Sequence, residues 1–535
     1  MTISFKNGEA AFDSRAVRRL AQDLTERLDG DRSLGGPDVV LDLSEGDVGA
    51  STFWPFARKA YEARLLDLIA ANGLPSVNYD LYADIQLERP PLGLAADFSK
   101  LVLERRPTKI AGFEIDFPLG VPASILTANA SFLRYYAERG YSILTYKTVR
   151  SRHWPGHPMP QWVFLEDPQS IVPGDKGVLQ DEPQFLGRTR YFPGDPSCAG
   201  MANSFGVPSH APSWWQGDMR AAREFARPGH QVLIASVMSS VLDAEIGAII
   251  EDFVTTALLV KECEVDIIEL NFSCPNTRER VGEIYKYPPD AEAIARAVRK
   301  AVGATPIFVK IGYLDDVNLA DLFQRLAPLV DGIVAINTMS ARVTVAPQTL
   351  GAEGKNVFPD RKVAGVSGWP VQRAAQRMAV QLARLRDEFA RCESRKLTLL
   401  GLGGVMSRED FDDRLKTGVD AVQVCTGAYL NPLLGFEIRN AQGKVEFKQK
   451  DDESEKGREP NGTGAHDRSD YGKVQSAPER GIEMDRRAPA AVLDPVTALT
   501  DIKEYLSASS YEQRRRDFAS WEPKLLSDMD TARNP

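Results

Sequence analysis

The feature that most constrains this chain is a series of short β-rich runs, each followed by a helical stretch, across its middle. The runs cover residues 116–124, 141–149, 231–239, 265–273, 306–312, 332–338, 397–404 and 421–428. Most are nearly continuous apolar stretches, the pattern of strands buried on both faces of a parallel sheet. Helix-patterned segments lie between them, among them 132–139, 242–262, 291–302, 371–389 and 408–416. Eight such units over about 320 residues predict an α/β fold, a (β/α)8 TIM barrel with insertions. A doubly wound open sheet is the alternative. It needs fewer strands and a glycine-rich first turn that this sequence lacks.

The chain has 535 residues, more than one hydrophobic core usually organises, so extensions around one large domain are expected. Residues 1–112 read as an N-terminal helical extension. Asp13 could cap a helix with Val17, Leu20, Leu24 and Leu28 on one face, and a second helix is expected from Pro55 to about Asn72. These apolar faces could dock on the barrel, cover an active-site mouth or touch a membrane surface, and docking is the simplest reading. The barrel is expected over 113–436. Residues 437–490 are dense in charge, Gly and Pro and should form a disordered linker, before a short helical tail over 491–535.

A net charge of −9 argues against a nucleic-acid surface, and no apolar run approaches the roughly 18–20 residues of a transmembrane segment. The first residues lack the basic-then-apolar pattern of a secretory signal, so a cytoplasmic location is expected. The five cysteines, at 198, 263, 274, 392 and 425, form no C-x-x-C pair. Neither a zinc site nor an iron–sulfur ligand set is legible, and most of these thiols are expected in the core.

In a barrel of this kind the working groups sit where strands end at the C-terminal face. The expected strand ends carry Lys147, Asn271 to Asn276, Lys310, Asn337-Thr338, Gly403-Gly404 and Cys425-Thr426. Two glycines after the seventh strand let main-chain N–H groups approach a phosphate, and Cys425-Thr426 would complete the cup at a helix start. Glycines are also what any tight turn needs, so position carries this reading, not composition. A lysine buried at a strand end, such as Lys310, is costly unless it meets an anion; the alternative is a snorkelled surface charge. Cys274, between Ser273 and Pro275 in a polar rim loop, could act as a general base if nearby lysines favour its thiolate.

The string Asn271-Phe272-Ser273-Cys274-Pro275-Asn276 resembles the N-x-S-C-P-N loop of soluble dihydroorotate dehydrogenases, and is also similar to the loop of dihydropyrimidine dehydrogenases. Further matches follow in chain order: Pro122-Ala123-Ser124, Lys147, Asn203 to Pro208, Lys310, Asn337-Thr338, Gly365 to Gly368, Gly403-Gly404 and Cys425-Thr426. The resemblance covers roughly residues 113–436. It implies an FMN across the barrel mouth with a small pyrimidine substrate stacked on it. Cys274 would be the catalytic base and Lys147 would serve both flavin and substrate. Asn203, Asn271, Asn276, Asn337 and Thr338 would bind the pyrimidine, with the main chain at Gly206 and Val207 receiving a carboxylate. Ala123, Ser124, Asn271, Lys310, Gly365, Ser367, Gly368, Gly403, Gly404, Cys425 and Thr426 would hold the flavin.

The sequence departs from that family in places. The stretch between Lys147 and Asn203 runs about 30 residues longer than the resemblance implies, and a loop of that length beside a site is often functional. The N-terminal region and the tail have no counterpart in the soluble class. Serine usually replaces the base cysteine in the membrane-associated class, so Cys274 points away from it. The implied activity is oxidation of dihydroorotate to orotate. The alternatives are a dehydrogenase or reductase of a related pyrimidine such as uracil, and a non-catalytic flavin-binding subunit. No cysteine cluster could relay electrons within the chain, so the unknown electron acceptor must reach the flavin directly or through a partner. The resemblance is also compatible with a homodimer.

Overall fold

The computed structural model describes residues 103–440, apart from 155, 158–160, 189–195, 242–244, 274–279, 346–353, 359–360, 394 and 432, together with the backbone of 3–6, 9–12 and 48–49. Eight parallel strands close into a barrel: β1 (Leu119–Val121), β2 (Ile143–Val149), β3 (Val232–Val237), β4 (Ile267–Asn271), β5 (Ile307–Ile311), β6 (Gly332–Ala335), β7 (Thr398–Gly401) and β8 (Ala421–Gln423). Each lies within one of the eight β-rich runs read from the sequence. β3, β4 and β5 are buried at every position, as strands covered on both faces must be.

Helices complete the units: α1 (Ala130–Ala137), α2 (Pro212–Phe225), α3 (Ile246–Lys261), α4 (Pro288–Val302), α5 (Asp316–Leu326), α6 (Gln372–Glu393) and α7 (Arg408–Lys416), then the short α8 (Thr426–Leu430) and α9 (Leu434–Arg439). Their starts follow local chemistry. Pro212 and Pro288 open α2 and α4, and the Asp315 carboxylate caps α5 by accepting from Val317 and Asn318 N–H, both at 3.0 Å. Ser407 and Asp410 form a reciprocal capping box at the start of α7.

A hairpin, Thr108–Ile110 with Phe113–Ile115, turns through Ala111 and Gly112, both at positive φ as a two-residue hairpin requires. Its Ile110 and Ile115 pack with Ile143, Val232, Ile234, Ile267, Phe308, Val334 and Leu400, closing the N-terminal end of the barrel. Over the other end lies a second, smaller closed sheet of five strands. Three come from the long stretch after β2 (Trp162–Glu166, Gln184–Arg188, Gly200–Asn203) and two from the stretch after β6 (Met339–Val345, Ala364–Gly368).

Short strands at Ile3–Lys6, Glu9–Phe12 and Val48–Gly49 pair antiparallel in a sheet of their own. The N-terminal helices, the linker and the tail expected from the sequence lie outside the described residues. The cysteine expectation is corrected: of the four described, only Cys263 is buried in the core, Cys198 and Cys425 are half-buried, and Cys392 is exposed near the end of α6. No helix among the described residues is long and apolar enough to cross a membrane.

Candidate active site

The C-terminal mouth of the barrel opens into a cavity beneath the five-stranded sheet. Ala123 and Ser124 after β1, Lys147 and Thr148 on β2, Asn271 on β4 and Lys310 on β5 line it. So do Asn337 and Thr338 after β6, Gly403 and Gly404 after β7, and Cys425 and Thr426 after β8. The overlying sheet and the loop after it add Asn203, Val207, Ser367 and Gly368. Gly365 stands behind the lining, where its carbonyl accepts from Asn203 Nδ2 at 3.2 Å, and Gly206 precedes the lining Val207. Cys274 and Asn276 lie outside the described residues.

β2 carries an irregularity that sequence alternation does not reveal. Ala235 pairs with Tyr146 but Val237 with Val149, so β2 holds one residue more than β3 across this step. A bulge of this kind re-aims side chains. Lys147 and Thr148, neighbours in sequence, both line the cavity. Lys147 Nζ also stands 5.3 Å from the centre of the Phe205 ring, within cation–π range.

Two asparagines hold the described end of the loop that leads to position 274. Asn337 Nδ2 donates to the Ser273 carbonyl, and the Ser273 N–H donates to Asn271 Oδ1 at 3.2 Å. Asn271 Nδ2 donates to Thr148 Oγ1 at 3.3 Å. A backbone N–H can only donate, so the carboxamide oxygen of Asn271 must face Ser273 and its nitrogen must face Thr148.

Charge is concentrated on the cavity floor. Lys310 is 3% exposed, and its ammonium donates to the neutral Ala123 carbonyl at 3.2 Å. Burial pushes the Cys425 thiol up, while a Ser124 hydrogen bond and the fields of Lys310 and Lys147 pull it back. Cys425 at ordinary pH is therefore a neutral wall residue. Below the floor, burial raises the pKa of Glu269, against the opposing pull of Lys310 and Ser236.

The long stretch after β2 braces the loop at Phe205–Val207. His157 N–H donates to the Phe205 carbonyl at 2.9 Å, and Trp154 Nε1 to the Gly206 carbonyl at 3.1 Å. The fully buried Arg150 reaches the Gly206 and Val207 carbonyls. In a trans peptide the N–H points opposite the C=O. The N–H groups of Gly206 and Val207 therefore turn away from Trp154 and His157. Both residues hold positive φ, +68° and +54°.

The turns after β7 and around Gly368 suit a phosphate. Gly368, Gly403 and Gly404 hold φ of +85°, +99° and +74°. A Cβ at Gly404 would collide with the start of α6 at Gln372, so only glycine permits this close approach. Thr426 Oγ1 donates to Ser367 Oγ at 3.1 Å, joining the two hydroxyls of the cup. α8 is five residues long, so the cup depends on its turns and hydroxyls more than on a helix dipole.

Sequence reasoning places Thr148 at the second strand's end without a role, and misses Gln423, Trp162, Met201 and Tyr429 as lining residues. Gln423 follows the same strand-end logic as Lys310 and was within reach of it. Trp162 and Met201 depend on the small overlying sheet and Tyr429 on the short α8, none of which leaves a short motif.

Residues 190–441 match the family model described as dihydroorotate dehydrogenase. The chain is 30% identical over 337 residues to the dihydroorotate dehydrogenase of Dictyostelium discoideum, covering 62% of this chain and 86% of that one. It is 24% identical over 335 residues to a dihydroorotate dehydrogenase B (NAD(+)) catalytic subunit of Methanocaldococcus jannaschii, covering 62% and 89%. A crystal structure of ligand-free type DHODH from Eimeria tenella aligns at 17% identity with a TM-score of 0.47, over 68% of this chain and 92% of that chain. The eight-stranded parallel barrel with its site at the C-terminal mouth defines a TIM-barrel class, and the Dictyostelium relative gives the family. The chain belongs to the dihydroorotate dehydrogenase family. Its chemistry is that of an oxidoreductase acting on CH–CH bonds, in a family that generally depends on a flavin.

Proposed function

We propose that this protein is an FMN-dependent enzyme that oxidises dihydroorotate to orotate in pyrimidine biosynthesis, with Cys274 as general base. The observation that carries the reading is the pair of lysines at the cavity, with Lys310 buried and hydrogen-bonded to a neutral carbonyl. Such a cation is stable where an anion completes its shell. When bound, FMN supplies the hydride acceptor, and the redox chemistry is the cofactor's.

The chain's own residues supply orientation and proton transfer. The turns at Gly368, Gly403 and Gly404, with Ser367 and Thr426, would hold the phosphate. Lys310 would lie against the electron-rich part of the reduced ring. Asn203, Asn271, Asn276 and Asn337 would grip the pyrimidine through amide donors and acceptors. The N–H groups at Gly206 and Val207, with Lys147, would receive the carboxylate. Cys274 would take the proton from one ring carbon as the hydride leaves its neighbour, so one proton and one hydride account for the new double bond.

The test is anaerobic mixing of the purified yellow protein with dihydroorotate. Bleaching of the flavin absorbance, with orotate as product, is the expected result. A protein that releases FAD, or no flavin, on denaturation would overturn the cofactor assignment. Bleaching by dihydrouracil but not by dihydroorotate would move the substrate to a neutral pyrimidine.

A further inference from the structure

Glu269 has no part in the chemistry above, yet it lies inside the barrel directly under the site. On β4, Ile267 belongs to the apolar interior cluster, Glu269 comes two residues later and Asn271 lines the cavity two residues beyond that. Ile268 and Leu270, which alternate with them, belong to the larger core cluster. Glu269 is fully buried, and apart from the pull of the neighbouring Ser236 hydroxyl neither carboxyl oxygen meets a donor in good hydrogen-bond geometry. Leaving such a group unsatisfied is costly unless it serves some purpose.

The neighbouring hydroxyls suggest one. Ser236, the register partner of Glu269 on β3, is fully buried, and its Oγ lies 3.0 Å from Thr148 Oγ1. Thr148 Oγ1 already accepts from Asn271 Nδ2. A hydroxyl carries one hydrogen, so Thr148 is free to donate its own to Ser236. Ser236 must then donate onward, and Glu269 beside it is an acceptor. The chain starts at a group that can only donate and ends at one that accepts whether or not its other oxygen is protonated.

We propose that Glu269 is a positioning residue, the terminal acceptor of a one-way chain Asn271–Thr148–Ser236–Glu269 that fixes how Asn271 presents its amide to the cavity. The inference rests on the proposed function, since it concerns the ligands that Asn271 would meet there. Hydrogen bonds aligned in one direction reinforce each other, so loss of the acceptor loosens every member above it. The carboxylate also stands close enough to Lys310 to feel its charge, which ties the chain to the second strand-end group on the floor.

The test measures two affinities: FMN for the flavin-free protein, by fluorescence quenching, and orotate for the holoprotein, by flavin absorbance. Glu269→Leu should weaken orotate binding by roughly tenfold, the scale of one lost buried hydrogen bond. Glu269→Gln keeps an acceptor oxygen and should restore affinity to within about threefold of the parent. Ser236→Ala breaks the chain one step earlier with almost no change in volume, and carries the test if Glu269→Leu does not fold. Losses in the Glu269→Leu/Ser236→Ala double variant should not multiply, because both remove the same chain. Parental affinities in Glu269→Leu or Ser236→Ala, multiplying losses, or no rescue by Gln would overturn this inference alone. A parent protein that binds neither FMN nor orotate would overturn the proposed function, and this inference with it.

Discussion

The lower and upper halves of the barrel interior are built by the same strands and do opposite things. At the N-terminal end, Ile143, Ile234, Ile267, Phe308, Val334 and Leu400 meet the hairpin residues Ile110 and Ile115, all essentially without solvent exposure. Each such side chain contributes about 1.5–3 kcal/mol by leaving water. Two residues further along four of these strands stand Thr145, Ser236, Glu269 and Lys310, with Gln423 on β8, all buried and polar, while Ile336 and Leu402 follow Val334 and Leu400. This layer opposes folding unless its groups find partners. The barrel therefore keeps its stability at one end and its chemistry at the other, separated by a single pleat.

That contrast can be broken or sharpened by substitution. The largest expected effect is at the rim: Cys274→Ala should retain flavin and slow its reduction by dihydroorotate about 10²–10⁴-fold, with Cys274→Ser less severe. Stopped-flow reduction kinetics would show it, and an unchanged rate would place the base elsewhere. In the lower layer, Phe308→Ala should cost about 3–5 kcal/mol of stability by chemical denaturation. The protein that remains folded should keep its ligand affinities. Loss of FMN affinity without loss of stability at this position would erase the proposed division.

The converse is expected one pleat up. Lys310→Met should lower FMN affinity by at least roughly tenfold, with stability unchanged or raised, because it removes a buried cation. Lys147→Ala should erode a preference for orotate over uracil, read by titrating both ligands against the flavin absorbance. Equal affinities in the parent would remove the basis for an anion site at Gly206 and Val207.

The pH dependence of Glu269 is a smaller effect. Burial raises its folded pKa above the ordinary carboxylate value. A group shifted in this way stabilises the fold fully below its unfolded pKa, and loses that contribution as pH rises through the folded value. Glu269→Gln should therefore gain thermal stability relative to the parent as pH rises above the ordinary carboxylate range. A constant difference in melting temperature across that window would count against the shift. Deletion of residues 441–535 should have the least effect on fold and flavin. The described block closes on itself at its end, where Arg439 donates to the carbonyls of Glu104 and Gly140. An insoluble or flavin-free truncation would show that the tail packs back onto the barrel.

The eight strands and most of the rim were legible in the sequence for one reason. In a parallel barrel every strand is buried on both faces and every strand ends on the same side, so apolar runs mark the strands and their last residues mark the site. Lys147, Asn271, Lys310, Asn337 and Gly403 could each be placed by that rule before any contact was known. The rule stops where position depends on distant parts of the chain. The small five-stranded sheet pairs Asn203 with Gly365, residues separated by half of the barrel's strands, through backbone bonds that no local pattern encodes. The bulge that turns both Lys147 and Thr148 to the cavity breaks the alternation from which a reader would infer their directions. Glu269 reads in sequence as one polar residue in an apolar strand. Only the closure of β3 against β4 sets Ser236 beside it and ends the hydrogen-bond chain there, because a buried donor's need for an acceptor is met across strands and not along them.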